Sequence, residues 1–224
     1  MRILIVTLLV LAAFPAYGSI IYFSGAVTVL PTAPASVLPT DMSSDSSIFV
    51  FSEQQGVTLT APVDAALTSP GLWTCCSGLP YGAIPAGVTV NSYLMVASPV
   101  TNQDDQLFRD FQGSITFSSD EKILGVIIGY ANIAGTDGML GAPGTMYPPG
   151  TYRYGGLEHT DTVVLSPTME TVYVNFHIFA GNLDMIRILT ATPEPADFVL
   201  LGSGLVALGL FGRRLRFRRA GGKV

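Results

Sequence analysis

The titratable residues that could support catalysis gather at one point of this sequence, Glu158, His159 and Asp161. Paired carboxylates can hydrolyse a glycosidic bond when a fold holds them about 5 to 10 Å apart across a cleft. Neighbouring positions on one loop do not specify such a separation, and charged residues commonly gather in turns. We therefore interpret the cluster as a solvated turn before a strand, and expect a protein that is not an enzyme.

The sequence offers little to a metal ion or a cofactor. Its two histidines and two adjacent cysteines lack the spacing of a zinc site, and no G-x-S-x-G elbow or phosphate-binding loop occurs. We expect no cofactor and no zinc. Calcium held by distant loops stays open, with free surface carboxylates as the alternative. The aspartates concerned are Asp104, Asp105, Asp110, Asp137 and Asp161.

The stretch around the only tryptophan, which we expect to be a loop, suggests a ligand-stacking site. Trp73 and Tyr81, if exposed together, would present flat apolar rings to the C–H face of a sugar. The alternative is that Trp73 closes one end of the hydrophobic core. Cys75 and Cys76 could form a strained vicinal disulfide, because adjacent Cα atoms lie only about 3.8 Å apart. Two buried thiols or a link to a second chain are equally open.

The first 18 residues have the pattern of a secretory signal peptide. Arg2 precedes an apolar run over residues 3–14, and small residues follow up to Gly18. The run would form a helix of about 18 Å, shorter than the roughly 30 Å hydrocarbon core of a bilayer. We expect export through Sec-type machinery and cleavage after Gly18.

A second apolar stretch, residues 198–212, lies near the C-terminus. It predicts a short transmembrane helix of about 22 Å, which snorkelling arginines can extend. The arginines should stay cytoplasmic by the positive-inside rule, which leaves residues 19–192 outside. The cluster over residues 213–219 consists of Arg213, Arg214, Arg216, Arg218 and Arg219.

Pro193, Glu194 and Pro195 stand directly before this stretch. The two prolines favour an extended, accessible segment. The order of Pro-Glu-Pro, apolar span and arginine cluster over residues 193–219 resembles the PEP-CTERM sorting signal of Gram-negative bacteria. The resemblance implies recognition and cleavage by a membrane exosortase, in hosts that typically make exopolysaccharide. It also implies an inner-membrane anchor with a periplasmic body, followed by transfer to the envelope or the extracellular space.

Residues 19–192, which we call the body, are acidic and rich in strand patterns. Four basic and fourteen acidic residues give the body a formal charge of −10, so nucleic acid is not an expected partner. Apolar and polar residues alternate over 88–97 and 172–179, with His177 on the polar register. Further strands are predicted at 20–23, 26–30, 47–51, 56–60, 113–117, 123–130, 162–165 and 185–189.

The pattern predicts one all-β domain, an antiparallel β-sandwich of jelly-roll or lectin-like type. We expect no helix in the body and a long loop over Gly135–Gly150, which is rich in glycine and proline. The predicted function is that of an exported, non-catalytic surface or matrix protein. A carbohydrate-binding module and, third, a secreted glycan-active enzyme are the alternatives.

Overall fold

A computed structural model describes residues 20–74, 82–100, 108–149, 157, 160–179 and 181–192, and it confirms a mostly β body. The chain divides into two compact units, residues 1–192 and 193–224, and the described residues all belong to the first. Within them no helix is long and apolar enough to cross a membrane. The predicted signal peptide and the predicted membrane span lie outside the described residues.

Thirteen strands and one helix make up the described part of the body. In chain order they are β1 (Ile20–Gly25), β2 (Val27–Val29), β3 (Ile48–Ser52), β4 (Val57–Thr58), β5 (Val63–Ala65), β6 (Gly71–Thr74), β7 (Gly82–Ile84), β8 (Thr89–Ala97), β9 (Phe108–Phe117), β10 (Ile123–Ile128), α1 (Tyr130–Leu140), β11 (Thr162–Leu165), β12 (Thr171–Phe179) and β13 (Asp184–Ala191).

The strands form two large sheets and a small one. Sheet A has the order β1-β9-β12-β11-β6, and sheet B has the order β10-β13-β8-β3-β2, with β4 also paired to β8. Strands β5 and β7 form a separate pair. All described pairs are antiparallel except β2 with β3, which is parallel. The expectation of a purely antiparallel sandwich is therefore wrong at this one edge.

Sheet B is the middle layer of the body. One of its faces packs against sheet A, where Tyr93 of β8 meets Phe117 of β9 with ring centroids 4.8 Å apart. The opposite face packs against α1 and the β5-β7 pair through residues such as Leu94 and Ile133. Both alternating sets of β8 are consequently buried, because each set meets a different layer.

The chain passes from sheet A to sheet B at Gly25. Its φ of +69° is a conformation that side chains rarely adopt, and a Cβ atom there would lie 2.2 Å from the carbonyl oxygen of Gln112. The next residue, Ala26, donates its backbone N–H to that oxygen at 2.8 Å. A glycine therefore permits the close approach of β1 to β9.

Helix α1 covers residues 130–140, and its second half, 135–140, falls in the stretch for which the sequence predicts a long loop. Gly135 and Gly138 lie inside it, and each costs a helix about 1 kcal/mol relative to alanine. The helix is held instead by tertiary contacts, since Ile133 and Leu140 are fully buried against sheet B. The expectation of an entirely helix-free body is wrong because packing outweighs local propensity here.

Three short strands, β5, β6 and β7, were also not predicted. Each has only three or four residues, too few to display a period of two. The segment Leu72–Trp73, expected in a loop, is part of β6 and pairs with β11. These strands are defined by pairing with segments far away in the chain, which the local sequence does not reveal.

Arg187 of β13 and Glu53, which follows β3, form a fully buried ion pair. Arg187 Nε donates to Glu53 Oε2 at 2.6 Å and Nη2 donates to Oε1 at 2.7 Å. The remaining guanidinium hydrogens reach α1: Nη1 donates to the Ile133 carbonyl at 2.9 Å and to Thr136 Oγ1 at 2.6 Å, and Nη2 donates to Asp137 at 2.9 Å. All five donors of the guanidinium thus have acceptors.

Glu53 is satisfied from its other side as well. Ser92 Oγ donates to Oε2 and the Tyr147 hydroxyl donates to Oε1, both at 2.7 Å. Burial opposes the charge on Arg187, but the negative charges of Glu53 and Asp137 more than offset it, so the pKa of Arg187 is raised. The pair remains ionised and joins sheet B to the helix.

Replacing Arg187 with methionine should lower the free energy of unfolding by about 3 to 5 kcal/mol, because Glu53 would stay buried without its cation. The measurement is urea unfolding of residues 19–192, which contain both hydrophobic clusters, followed by the fluorescence of the single tryptophan. Arg109→Met is the matched control, since Arg109 lies 3.9 Å from Asp45 in a partly exposed pair that is worth under about 1 kcal/mol. Equal losses in the two variants would contradict this role of Arg187.

Candidate functional site

Trp73 does not form the exposed stacking platform that its sequence context suggests. It is 8% exposed and belongs to the core between the two sheets. In β6 it pairs with Val163, a core residue, whereas its neighbour Leu72 is 53% exposed. The strand register therefore turns the indole inward, and the alternative, a core role for Trp73, is the correct one.

Several other predicted site residues lie outside the described residues. They are Tyr81, the cysteines Cys75 and Cys76, the sorting motif Pro193, Glu194 and Pro195, and the arginine cluster Arg213, Arg214, Arg216, Arg218 and Arg219. The hypotheses about stacking by Tyr81, disulfide formation, sorting and topology stay predictions.

Asp161 is fully buried, so its interpretation as part of a solvated turn is wrong. Its Oδ1 accepts the backbone N–H of His177 at 2.6 Å, which ties the start of β11 to β12. Glu158 and His159 lie outside the described residues. Asp161 was predicted to be exposed because its chain neighbours are polar, but its burial is determined by the adjacent strand.

His177 lies at one end of the exposed side of sheet A. Its Nδ1 is 2.5 Å from Asp110 Oδ1, and its ring stacks on Phe108 with centroids 4.5 Å apart. Of the other candidate calcium ligands, Asp137 is paired with Arg187, and Asp104 and Asp105 lie outside the described residues. The described residues contain no group of three or more His, Cys, Asp or Glu placed to hold a metal ion.

The side of sheet A that faces away from sheet B, which we call the outer face, carries a candidate site. In β12 the residues Val172, Val174, Phe176 and Ile178 point into the core, which leaves Tyr173 and Asn175 on the outer face. This outcome confirms the alternation predicted for the strand. Tyr173 is 50% exposed and stands near the middle of the sheet.

Register places polar side chains from three further strands around Tyr173 and Asn175. Tyr173 lies opposite Ser114 of β9, and Asn175 lies opposite both Gln112 of β9 and Thr162 of β11. One strand further, Ser24 of β1 lies opposite Ser114, and the two hydroxyl oxygens are 2.8 Å apart. Residues far apart in sequence thus form one continuous polar surface.

This surface is concave. A depression of about 450 Å³ lies over β1, β9, β12 and β11, and its polar wall consists of Ser24, Gln112, Ser114, Thr162 and Asn175, with the ring of Tyr173 beside them. None of the described residues that line it is acidic or basic. The arrangement can donate and accept hydrogen bonds and offer an aromatic face, which suits recognition of a neutral polar molecule.

The sequence predicted parts of the strands of this surface, but Ser24 and Gln112 lie beyond the predicted bounds 20–23 and 113–117, and the surface itself was not predicted. The alternation of apolar and polar residues over 172–179 predicted which side chains of β12 lie on the polar face. Ser24, Gln112 and Thr162 carry no local signal, because they come together only through pairing over long separations in the chain.

A second buried polar cluster surrounds Glu121, whose Oε1 accepts three hydrogen bonds. The donors are Asn91 Nδ2 at 2.6 Å, the Tyr93 hydroxyl at 3.0 Å and Thr190 Oγ1 at 2.8 Å. Burial raises the pKa of Tyr93, and the charge of Glu121 and the hydrogen bond to it raise it further. Burial likewise raises the pKa of Tyr147, with Glu53 adding to the effect.

Comparison with protein-family models, with curated proteins and with solved structures finds no match to this chain. The candidate site is accordingly defined by its own geometry.

The free energy of unfolding should fall as the pH rises above about 10, where tyrosine in an unfolded chain loses its proton. In the native state Tyr93 and Tyr147 keep theirs, so the native state binds more protons and loses stability, by up to about 1.4 kcal/mol per pH unit for each residue. Urea unfolding at pH 7 to 11 measures this slope. Tyr93→Phe should remove the contribution of one residue and flatten the decline.

Unfolding free energies that stay level between about pH 10 and 11 would contradict the role of the two tyrosines. At pH 7 the Tyr93→Phe variant should lose only about 0.5 to 1.5 kcal/mol, the contribution of one hydrogen bond. The Tyr93→Phe variant, measured at pH 7 and at pH 11, serves as its own control.

Proposed function

We propose that this chain is an exported, non-catalytic surface or matrix protein, anchored transiently in the inner membrane and processed by an exosortase. The observation that carries the proposal is the order of Pro193-Glu194-Pro195, an uncharged apolar stretch and an arginine cluster, on a chain that begins with a signal-peptide pattern. Both ends demand the same topology, with the body outside. The body then reaches the envelope or the extracellular space.

The architecture of the body is compatible with such a role. Its two hydrophobic clusters lie on either side of sheet B, within residues 20–192, so the described body has its own core. We assign the sandwich to the jelly-roll or lectin-like type on the basis of its two packed sheets. In this class of architecture a sheet face or a set of loops is free to bind a partner.

Carbohydrate binding is the second candidate function, and one observation favours it. The outer face combines uncharged hydrogen-bonding side chains with the half-exposed ring of Tyr173. Trp73 does not support this function, because its ring is buried. Exopolysaccharide, the material that PEP-CTERM hosts typically make, is the partner to which this candidate function points.

Replacing Glu194 with alanine should leave export intact and trap the full-length protein in the membrane, because the processing enzyme would lose its recognition element. The measurement is fractionation of the producing cells with an immunoblot against the body. Asp197→Ala is the matched control, a nearby acidic residue outside the Pro-Glu-Pro element, and it should be released normally. Normal release of the Glu194 variant would contradict exosortase processing.

Deleting residues 213–224 should loosen the orientation of the tail, because six basic residues that resist translocation are removed. Protease protection in spheroplasts reports on which side of the membrane the tail lies. A variant with the five clustered arginines changed to lysine keeps the charge and should keep the orientation. A stable, correctly oriented anchor in the deletion variant would argue against the arginine cluster as the topology determinant.

A further inference from the structure

The depression on the outer face differs from the rest of the body in charge. The body has a formal charge of −10, yet the described residues that line the depression are all uncharged. Two carboxylates lie beyond Asn175: Asp110 is engaged with His177, and the buried Asp161 accepts the backbone N–H of His177. A cationic ligand would find no counter-charge in the depression, and the field of the body repels an anionic one.

The polar groups of the depression suit a molecule with many hydroxyl groups. Gln112 and Asn175 carry amides, which both donate and accept, and Ser24, Ser114 and Thr162 carry hydroxyls, which do the same.

Aromatic and aliphatic side chains supply the apolar part of the surface. Tyr173 lies in one row across the sheet with Val164 and the exposed Leu72. Tyr22, 61% exposed, stands on β1, two strands away from Tyr173 and one side-chain row along the sheet. A half-exposed ring beside neutral hydrogen-bonding groups fits the two sides of a sugar, its C–H face and its hydroxyls.

The geometry points to a binding site for a neutral polysaccharide on the outer face of sheet A, with Tyr173 stacking on a sugar ring and Gln112, Asn175 and Ser24 hydrogen-bonding its hydroxyls. The inference rests on the proposed function, because it names the material that an exported matrix protein would hold. It moves the carbohydrate site away from Trp73, whose ring lies in the core. The shallow shape of the depression suits a chain that runs across the sheet rather than a small enclosed molecule.

The test is isothermal titration of the full chain, kept in solution by a detergent without a sugar headgroup, with a β-glucan, a mannan, a galactan and one anionic polyuronate. Binding to at least one of the neutral polysaccharides is expected. Tyr173→Ala should weaken it about tenfold, because the stacking ring is lost. Tyr173→Phe keeps the ring and should bind nearly as well as the original chain.

Tyr130→Ala is the matched control, since Tyr130 is 49% exposed but lies at the start of α1, away from sheet A. It should leave binding unchanged. Gln112→Ala, on an exposed position, should weaken binding about two- to tenfold through the loss of a hydrogen bond. Equal urea midpoints establish that all four variants fold.

Three outcomes would overturn the inference: no binding to any neutral polysaccharide, binding to the polyuronate alone, or equal affinities of the Tyr173→Ala and Tyr130→Ala variants. Binding in solution does not depend on processing in the cell. A failure here would therefore leave the sorting proposal standing, and unchanged release of the Glu194 variant would leave the binding site standing.

Discussion

The buried pair of Arg187 and Glu53 imposes the strictest requirement on this structure. Moving two charges out of water costs several kcal/mol for each, and the cost is recovered only when every donor and acceptor finds a partner. The guanidinium meets that requirement with acceptors from Glu53, which follows β3, and from α1, while Ser92 and Tyr147 donate to the carboxylate. The helix and the segment around Tyr147 must therefore lie on this face of sheet B. These hydrogen bonds add to the packing of Ile133 and Leu140 in holding a helix with two internal glycines.

Sheet B is covered on both faces. Among the described residues, sheet A packs one face against sheet B, and its other face is open. That face is built from the polar registers of β1, β9, β12 and β11, and its centre is uncharged although the body is strongly acidic. The buried ion pair that stabilises the fold and the proposed binding surface thus lie in different layers. Charged groups are buried where they hold the helix, and neutral polar groups with Tyr173 face outward where a ligand can reach them.

The sequence predicted the longer strands because their side chains alternate, as Val172 to Phe179 show, and it predicted two packed layers. It did not predict α1 or the strands β5, β6 and β7. A lone arginine within the apolar stretch 185–189 was a readable signal of a buried, paired charge, since both neighbours of Arg187 are isoleucines. Its partner Glu53 could not be read in the same way, because 134 positions separate the two.

What the sequence determined by itself is local: alternation and turns, the acidic charge of the body, and the patterns at the two ends on which the sorting proposal rests. The tertiary structure alone decided that Trp73 points inward, that Asp161 is buried, and that Ser24, Gln112, Thr162 and Tyr173 share one surface. The physical reason is that burial and strand pairing depend on partners far away in the chain. A residue's own neighbours carry its conformational preference but not the identity of the residues packed against it.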